Sequence, residues 1–463
     1  MHATLTANMF INRPQRQLDR RLGLFGLFVI GVGGTIGGGI FVLLSPGAAV
    51  AGVYLPLSFL IGGVLALLGA LLYAELGTTI PRSGSSIELV FTTTRRKYYP
   101  FMFSWLVLLG DVSYLVINAL GVAFYANFFM AVNPTLIALL AVVIAVAINL
   151  RGVAAAGKSE MVIETSLVLL LAAFVAVGVS SPEFVFAPGE FIAAIPAHVI
   201  PMLAGVAVVF TTYVGYEYIA SIAGEAENPA QDIPKALVLT VVTVTILFTT
   251  VSLVALNVGG AEGIADAEAP LLLAGEQLGA VGTYIVLPAA LVATSGSLLA
   301  ATLVSSRRVY ALSQQGYMRQ VFSVFNRHEV PYRAVLAVGV LALFLLLSGS
   351  VAFVAYISNT VYLVVMIVVA ISLLRLRRQR PFLARPYRAP LFPWLPLLLI
   401  VLAGTILLFV GYISLAVTVL WLLAGYLVYM ARRISPQQLY YAVWGAVLFL
   451  FVLGSLSFWM LLT

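Results

Sequence analysis

Gly31-Val32-Gly33-Gly34-Thr35-Ile36-Gly37-Gly38-Gly39 stands inside an apolar run that extends from about residue 22 to about residue 50. Such a run is long enough to cross the hydrocarbon core of a bilayer, which takes roughly 20 apolar residues as helix. Its middle cannot be good helix, because each glycine loses backbone entropy and bares its peptide groups. In a bilayer, bared peptide groups are tolerated only where they are buried in protein or face a cavity. The freed amides of a restarted helix suit a carboxylate, and the freed carbonyls suit a cation. The same glycines also fit a close helix–helix contact, with Gly33 and Gly37 spaced as small-xxx-small.

Working outward, twelve further apolar runs follow, at about 53–80, 98–130, 134–150, 160–180, 197–223, 234–258, 280–310, 333–349, 351–374, 391–410, 413–431 and 437–461. The sixth run carries Phe210-Thr211-Thr212-Tyr213-Val214-Gly215-Tyr216-Glu217, a second stretch ill suited to continuous helix. Interrupted spans at matching positions in two halves are the sequence signature of a transporter's central site.

Composition agrees with this solvent. Of 463 residues, 62% are hydrophobic and only 9% are charged, too few to cover a soluble globule. There is no cysteine, which excludes disulfides, thiolate metal sites and cysteine nucleophiles. The net charge of +7 is carried by 24 Lys and Arg. All of them fall in the N-terminal arm or in loops near 81–97, 150–159, 224–235, 307–333, 375–390 and 432–436. These are the loops that share one side if the spans are counted as above, whereas Glu183, Glu190, Glu262, Asp266, Glu268 and Glu276 fall on the other. The bias predicts a cytoplasmic N-terminus and a multi-pass protein of the cell membrane. Residues 1–21 read as a basic cytoplasmic arm with no cleavage site.

Three acids are read as intramembrane: Asp111, Glu164 and Glu217. A carboxylate there costs at least ~2.5–3.5 kcal/mol, so each is a candidate proton carrier. The readings as enzyme fail on their motifs. Gly152 to Ser159 satisfies the phosphate-loop pattern but joins two spans, with no room for a nucleotide domain. His328-Glu329 lacks the second histidine of a zinc protease, and no second aspartate completes an intramembrane protease dyad around Asp111. No catalytic residue, cofactor or nucleic-acid partner is expected. His198 reads as an ordinary interfacial residue.

Four segments carry a family resemblance. They are Thr35-Ile36-Gly37-Gly38-Gly39-Ile40-Phe41; Tyr73-Ala74-Glu75-Leu76-Gly77 with Pro81-Arg82-Ser83-Gly84; Tyr213 to Glu217 with Glu225, Asn228-Pro229 and Asp232-Ile233-Pro234; and Ser306-Arg307 with Tyr310-Ala311-Leu312 and Gly316. Together, in this order, they resemble the amino acid permeases of the amino acid–polyamine–organocation (APC) superfamily.

The resemblance implies an all-α polytopic membrane protein with an inverted five-plus-five helix repeat (the LeuT-like fold). Residues 22–180 would form the first repeat, 197–376 the second, and 391–463 two to three extra spans, giving twelve or thirteen in all. It further implies that the amides of Gly38 and Gly39, beside Gly37, take a substrate α-carboxylate. The carbonyls of Thr35, Thr211 and Val214 would take the α-amino group. Tyr213 would act as an aromatic gate, and Tyr114 would face the substrate side chain with Asp111 on the same helix face.

The fifth-span lysine of many relatives is replaced here by Leu167. Coupling is then expected through protons on Glu217, Glu164 or Asp111, which three buried acids favour, with sodium at Ser295 and Ser297 or exchange without an ion as the alternatives. The expected function is secondary transport of amino acids or related amines, polyamines included, by alternating access. An ion channel is the rival from another class.

Overall fold

The computed structural model describes residues 22–79, 98–130, 132–152, 157–184, 189 and 195–430. The N-terminal arm, Pro81–Gly84 and the span expected at 437–461 lie outside the described residues. Within them the chain is helical throughout, apart from one isolated bridge between Leu22 and Ala226.

The first span is built in three pieces, α1 (Leu24–Thr35), α2 (Gly39–Val42) and α3 (Leu44–Ala51). Then come α4 (Leu55–Thr79), α5 (Tyr98–Ala126), α6 (Pro134–Leu150) and α7 (Gly157–Val179). The sixth span is α8 (Val199–Val209), a 3-10 turn at Phe210–Tyr213, and the short α9 (Tyr218–Ser221). After α10 (Pro229–Gly259), two short helices, α11 (Ala261–Asp266) and α12 (Pro270–Gln277), precede α13 (Gly279–Gln314). The chain continues through α14 (Tyr332–Leu346), α15 (Val351–Gln379), α16 (Trp394–Leu407) and α17 (Tyr412–Met430). Among the described residues, nine helical stretches are long and apolar enough to cross a membrane by length and composition, and α6, α14 and α16 are shorter apolar helices.

The bundle is organised around α5, which is almost wholly enclosed and packs against α13, α15, α6 and α17. Lipid-facing helices such as α7 and α17 bury little of their surface. An aromatic pair attaches α17 to α5. Trp105 and Trp421 stack at 4.6 Å between ring centroids, and each indole N–H donates to the other residue's carbonyl at 2.7–2.8 Å. In hydrocarbon both donors would otherwise be unsatisfied.

Hydrogen bonds tie the described connections to one another and to the helix ends. The Leu22 amide donates to the Glu225 carbonyl, and the Glu227 amide donates back to the Leu22 carbonyl. Asn326 donates to the Leu150 carbonyl at 2.7 Å. Helices α11 and α12 cover α3, with the Ser45 hydroxyl donating to the Ala265 carbonyl, and His198 stacks on Tyr54. The described helices follow the order of the first twelve apolar runs. One assignment needs correcting: α13 continues to Gln314, so Arg307 and Arg308 lie on a helix and not in the following loop.

The two interrupted spans meet at their interruptions. Gly215 has φ +130°, and a Cβ there would collide with the backbone carbonyl of Gly34, which only glycine avoids. Substituting Gly215→Ala is expected to destabilise the protein by well over about 1 kcal/mol and to remove uptake. Gly404→Ala, within α16 and with nothing within 4 Å of the added atom, should leave most activity. Thermal unfolding in detergent and uptake into proteoliposomes check both.

Candidate functional site

The first break is three residues wide. Thr35 ends α1 with its hydroxyl donating to the Gly31 carbonyl at 2.7 Å, and the Ile36 amide still reaches Val32. The Gly37 amide turns back to the Thr35 carbonyl at 2.9 Å, so that carbonyl already holds one donor. Gly38 lies just before α2, and the Phe41 and Val42 amides return to its carbonyl.

Two glycines of this break lie against side chains of other helices. A Cβ at Gly37 would collide with the Tyr114 hydroxyl and stand 2.7 Å from the Ser297 hydroxyl. One at Gly38 would meet Asn118 Oδ1 and, at 2.8 Å, the Thr294 methyl. Tyr114 and Asn118 are one turn apart on α5, and Thr294 and Ser297 one turn apart on α13, so two helix faces close over the break.

The second break uses a 3-10 turn and an extended residue. Val214 has φ −66° and ψ 133°, and its amide bonds to the Thr211 carbonyl at 3.1 Å. The Gly215 amide donates to Glu217 Oε2 at 2.9 Å, so Glu217 closes the break from within. Thr211 is within 2.8 Å of the Ser358 hydroxyl of α15. Tyr213, read as a gate, is fully buried, and its hydroxyl donates to the Phe59 carbonyl at 2.6 Å. Asn359 of α15 donates to the Val208 carbonyl at 2.6 Å, taking up a carbonyl near the end of α8.

The acids separate into different settings. Glu164 packs its carboxylate against Gly33 of α1, and Glu217 sits on the second break. Asp111 is paired: Arg308 Nε stands 2.7 Å from its Oδ2, and the Tyr362 hydroxyl donates to Oδ1 at 3.0 Å. A cation for Asp111 is therefore supplied by α13. A fourth buried acid, Glu75, stands in the sequence within the Tyr73–Gly77 motif. It is fully buried, with Arg377 Nε at 2.9 Å, Arg385 Nε at 3.5 Å and the Ala389 amide at 2.8 Å. Its position several residues inside the 53–80 run was the available signal.

The expected sodium pair does not come together. Ser297 faces Gly37, whereas Ser295 lines an apolar groove of about 260 Å³ with Ile137, Ala141, Ile144 and Leu298. Residues two apart on a helix point to different faces, and this pair follows the rule. Leu167 is buried in the core. No cluster of three or more metal-ligating side chains occurs among the described residues. Asn118, Thr294 and Arg308 were not singled out in the sequence as site residues.

With this geometry in view, a family model described as amino acid permease matches residues 22–449. The chain belongs to the amino acid permease family. This permease is a member of the APC superfamily and carries out secondary transport of small organic solutes across a membrane. It is 25% identical over 436 residues to the branched-chain amino acid permease BcaP of Bacillus subtilis, covering 90% of this chain and 93% of that one. An uncharacterised transporter of Mycobacterium tuberculosis is 30% identical over 329 residues, covering 70% and 72%. A vacuolar cationic amino acid transporter of Arabidopsis thaliana is 27% identical over 364 residues, covering 73% and 60%.

Removing one partner of a buried ion pair typically costs about 3–5 kcal/mol, because the other charge is left unpaired. Arg308→Met is accordingly expected to lower stability by about that amount. Asp111→Asn combined with Arg308→Met should recover most of the loss. Thermal unfolding of the two single variants and the double variant measures the coupling.

Proposed function

We propose that this permease carries amino acids with neutral side chains, by alternating access within an inverted five-plus-five helix arrangement. The observation that carries the reading is the contact between the two broken spans at Gly34 and Gly215. In this scheme the substrate bridges the breaks. Its α-carboxylate is held by the amides of Gly38 and Gly39 beside Gly37, and its α-amino group by the carbonyls of Thr35, Thr211 and Val214. Tyr114 faces the substrate side chain, and Tyr213 moves with the opening of the site.

Two observations support a neutral substrate. Asp111, the acid that would attract a cationic side chain, already holds Arg308, and one relative similar over nearly the whole chain is a permease named for branched-chain amino acids. Protons on Glu217 and Glu164 supply the driving force in this reading, since each carboxylate lies against one of the two broken spans. A proton on Glu217 would weaken its hold on the Gly215 amide, which links protonation to the shape of the break.

Uptake of labelled leucine, lysine and putrescine into proteoliposomes, with sodium and pH gradients imposed separately, tests this. The expected result is saturable leucine uptake driven by an inward proton gradient. Glu217→Gln should lose the gradient-driven accumulation and keep leucine exchange. Lysine or putrescine uptake in place of leucine would overturn the substrate class. Accumulation driven by sodium alone would overturn the proton assignment.

A further inference from the structure

We infer that Asn118 is a positioning residue that stands in for the substrate carboxylate when the carrier is empty. This rests on the reading above in which the Gly38 amide receives that carboxylate. Asn118 is completely buried on α5, and its Oδ1 accepts the Gly38 N–H at 3.0 Å. Its Nδ2 donates to the Tyr114 carbonyl, one turn back on its own helix, at 2.7 Å, which fixes the oxygen as the atom facing the break. That oxygen sits so close to Gly38 that a Cβ there would meet it, so Asn118 occupies the acceptor position a carboxylate oxygen would take.

The chemistry of an empty carrier explains why an amide is used. A buried N–H with no acceptor is costly, and no lipid tail can supply one. An empty carrier must nevertheless return across the membrane with its break intact. A neutral amide oxygen satisfies Gly38 during that return. A carboxylate forms charge-assisted hydrogen bonds roughly twice as strong as neutral ones. An arriving substrate therefore displaces the Asn118 oxygen, and the oxygen re-engages when the substrate leaves. An aspartate here would act as a ligand that never departs, and an alkyl group would leave the amide bare. Tyr114 lies over Gly37 one turn away on the same face, so displacement of Asn118 is transmitted to the residue assigned to the substrate side chain.

The test compares Asn118→Ala and Asn118→Asp with the unaltered protein, measuring leucine KM, net uptake and leucine–leucine exchange in proteoliposomes. Loss of a hydrogen bond of ordinary net strength predicts that Asn118→Ala lowers KM by roughly three- to tenfold. Net uptake should slow, because the empty carrier returns with a bare amide, while exchange, which bypasses that return, keeps its rate. Asn118→Asp, of nearly the same shape, should raise KM about tenfold through its stronger bond to Gly38.

If both substitutions raise KM and exchange falls together with net uptake, Asn118 merely packs the break and the inference is wrong. Should the alanine variant fail to fold, as thermal unfolding will show, the aspartate variant decides alone: an unchanged or lower KM overturns the inference. Competition against labelled leucine by 3-methylbutylamine, which lacks the carboxylate, separates the two layers. If that amine competes as well as leucine, the carboxylate is not recognised and the site reading fails, with the inference built on it. If leucine competes far better and the KM shifts still lack opposite signs, the stand-in role alone is lost.

Discussion

A peptide group inside a bilayer has only protein to bond to, and this permease interrupts two of its membrane helices where that constraint is most severe. The interruptions are sustained because each faces protein. Gly34 and Gly215 bring the two backbones together with no side chain between them. Around that contact freed groups find specific partners: Gly37 turns to Thr35, Gly38 to Asn118, Gly215 to Glu217 and Val208 to Asn359. The enclosing helices α5 and α15 need to be continuous, since they hold Asn118 and Asn359 in place.

Buried charge is handled in the same way. Glu75 sits among Arg377, Arg385 and the Ala389 amide, which ties the segment after α15 to the end of α4. Asp111 is held by Arg308 and Tyr362, joining α5, α13 and α15. Neither cluster needs to add net stability to be useful, because desolvation offsets much of the attraction. What both do is make a wrong helix arrangement expensive, since slipping any one helix strands a charge. Glu164 and Glu217 differ in that their contacts are to the broken spans themselves.

Much of this was legible in the sequence, for a physical reason. Apolar length marks a membrane helix without any need for periodicity, and twelve of the thirteen runs coincide with described helices or broken helices. The glycine run and Thr211–Glu217 announced their breaks because glycine and small polar residues are poor helix formers in isolation. Partners were the part that stayed hidden. Arg308 looked like a loop residue because charge is itself the sign of a loop in a membrane protein, and nothing local revealed an aspartate 197 positions earlier. Arg377 is 302 positions from Glu75. Asn118 is a single neutral amide in an apolar run, with no motif around it. The separation of Ser295 from Ser297, by contrast, follows from helix geometry alone and could have been read in advance.

The Asp111–Arg308 pair has an electrical consequence. A membrane potential does work of about 2.3 kcal/mol on each elementary charge moved through 100 mV. A carrier that rocked an unbalanced charge through the field would run easily in one direction and poorly in the other. Opposite charges 2.7 Å apart that travel together do no such work. Between α5 and α13, at this depth, the pair presents the field with no net charge to act on, whichever parts of the permease move.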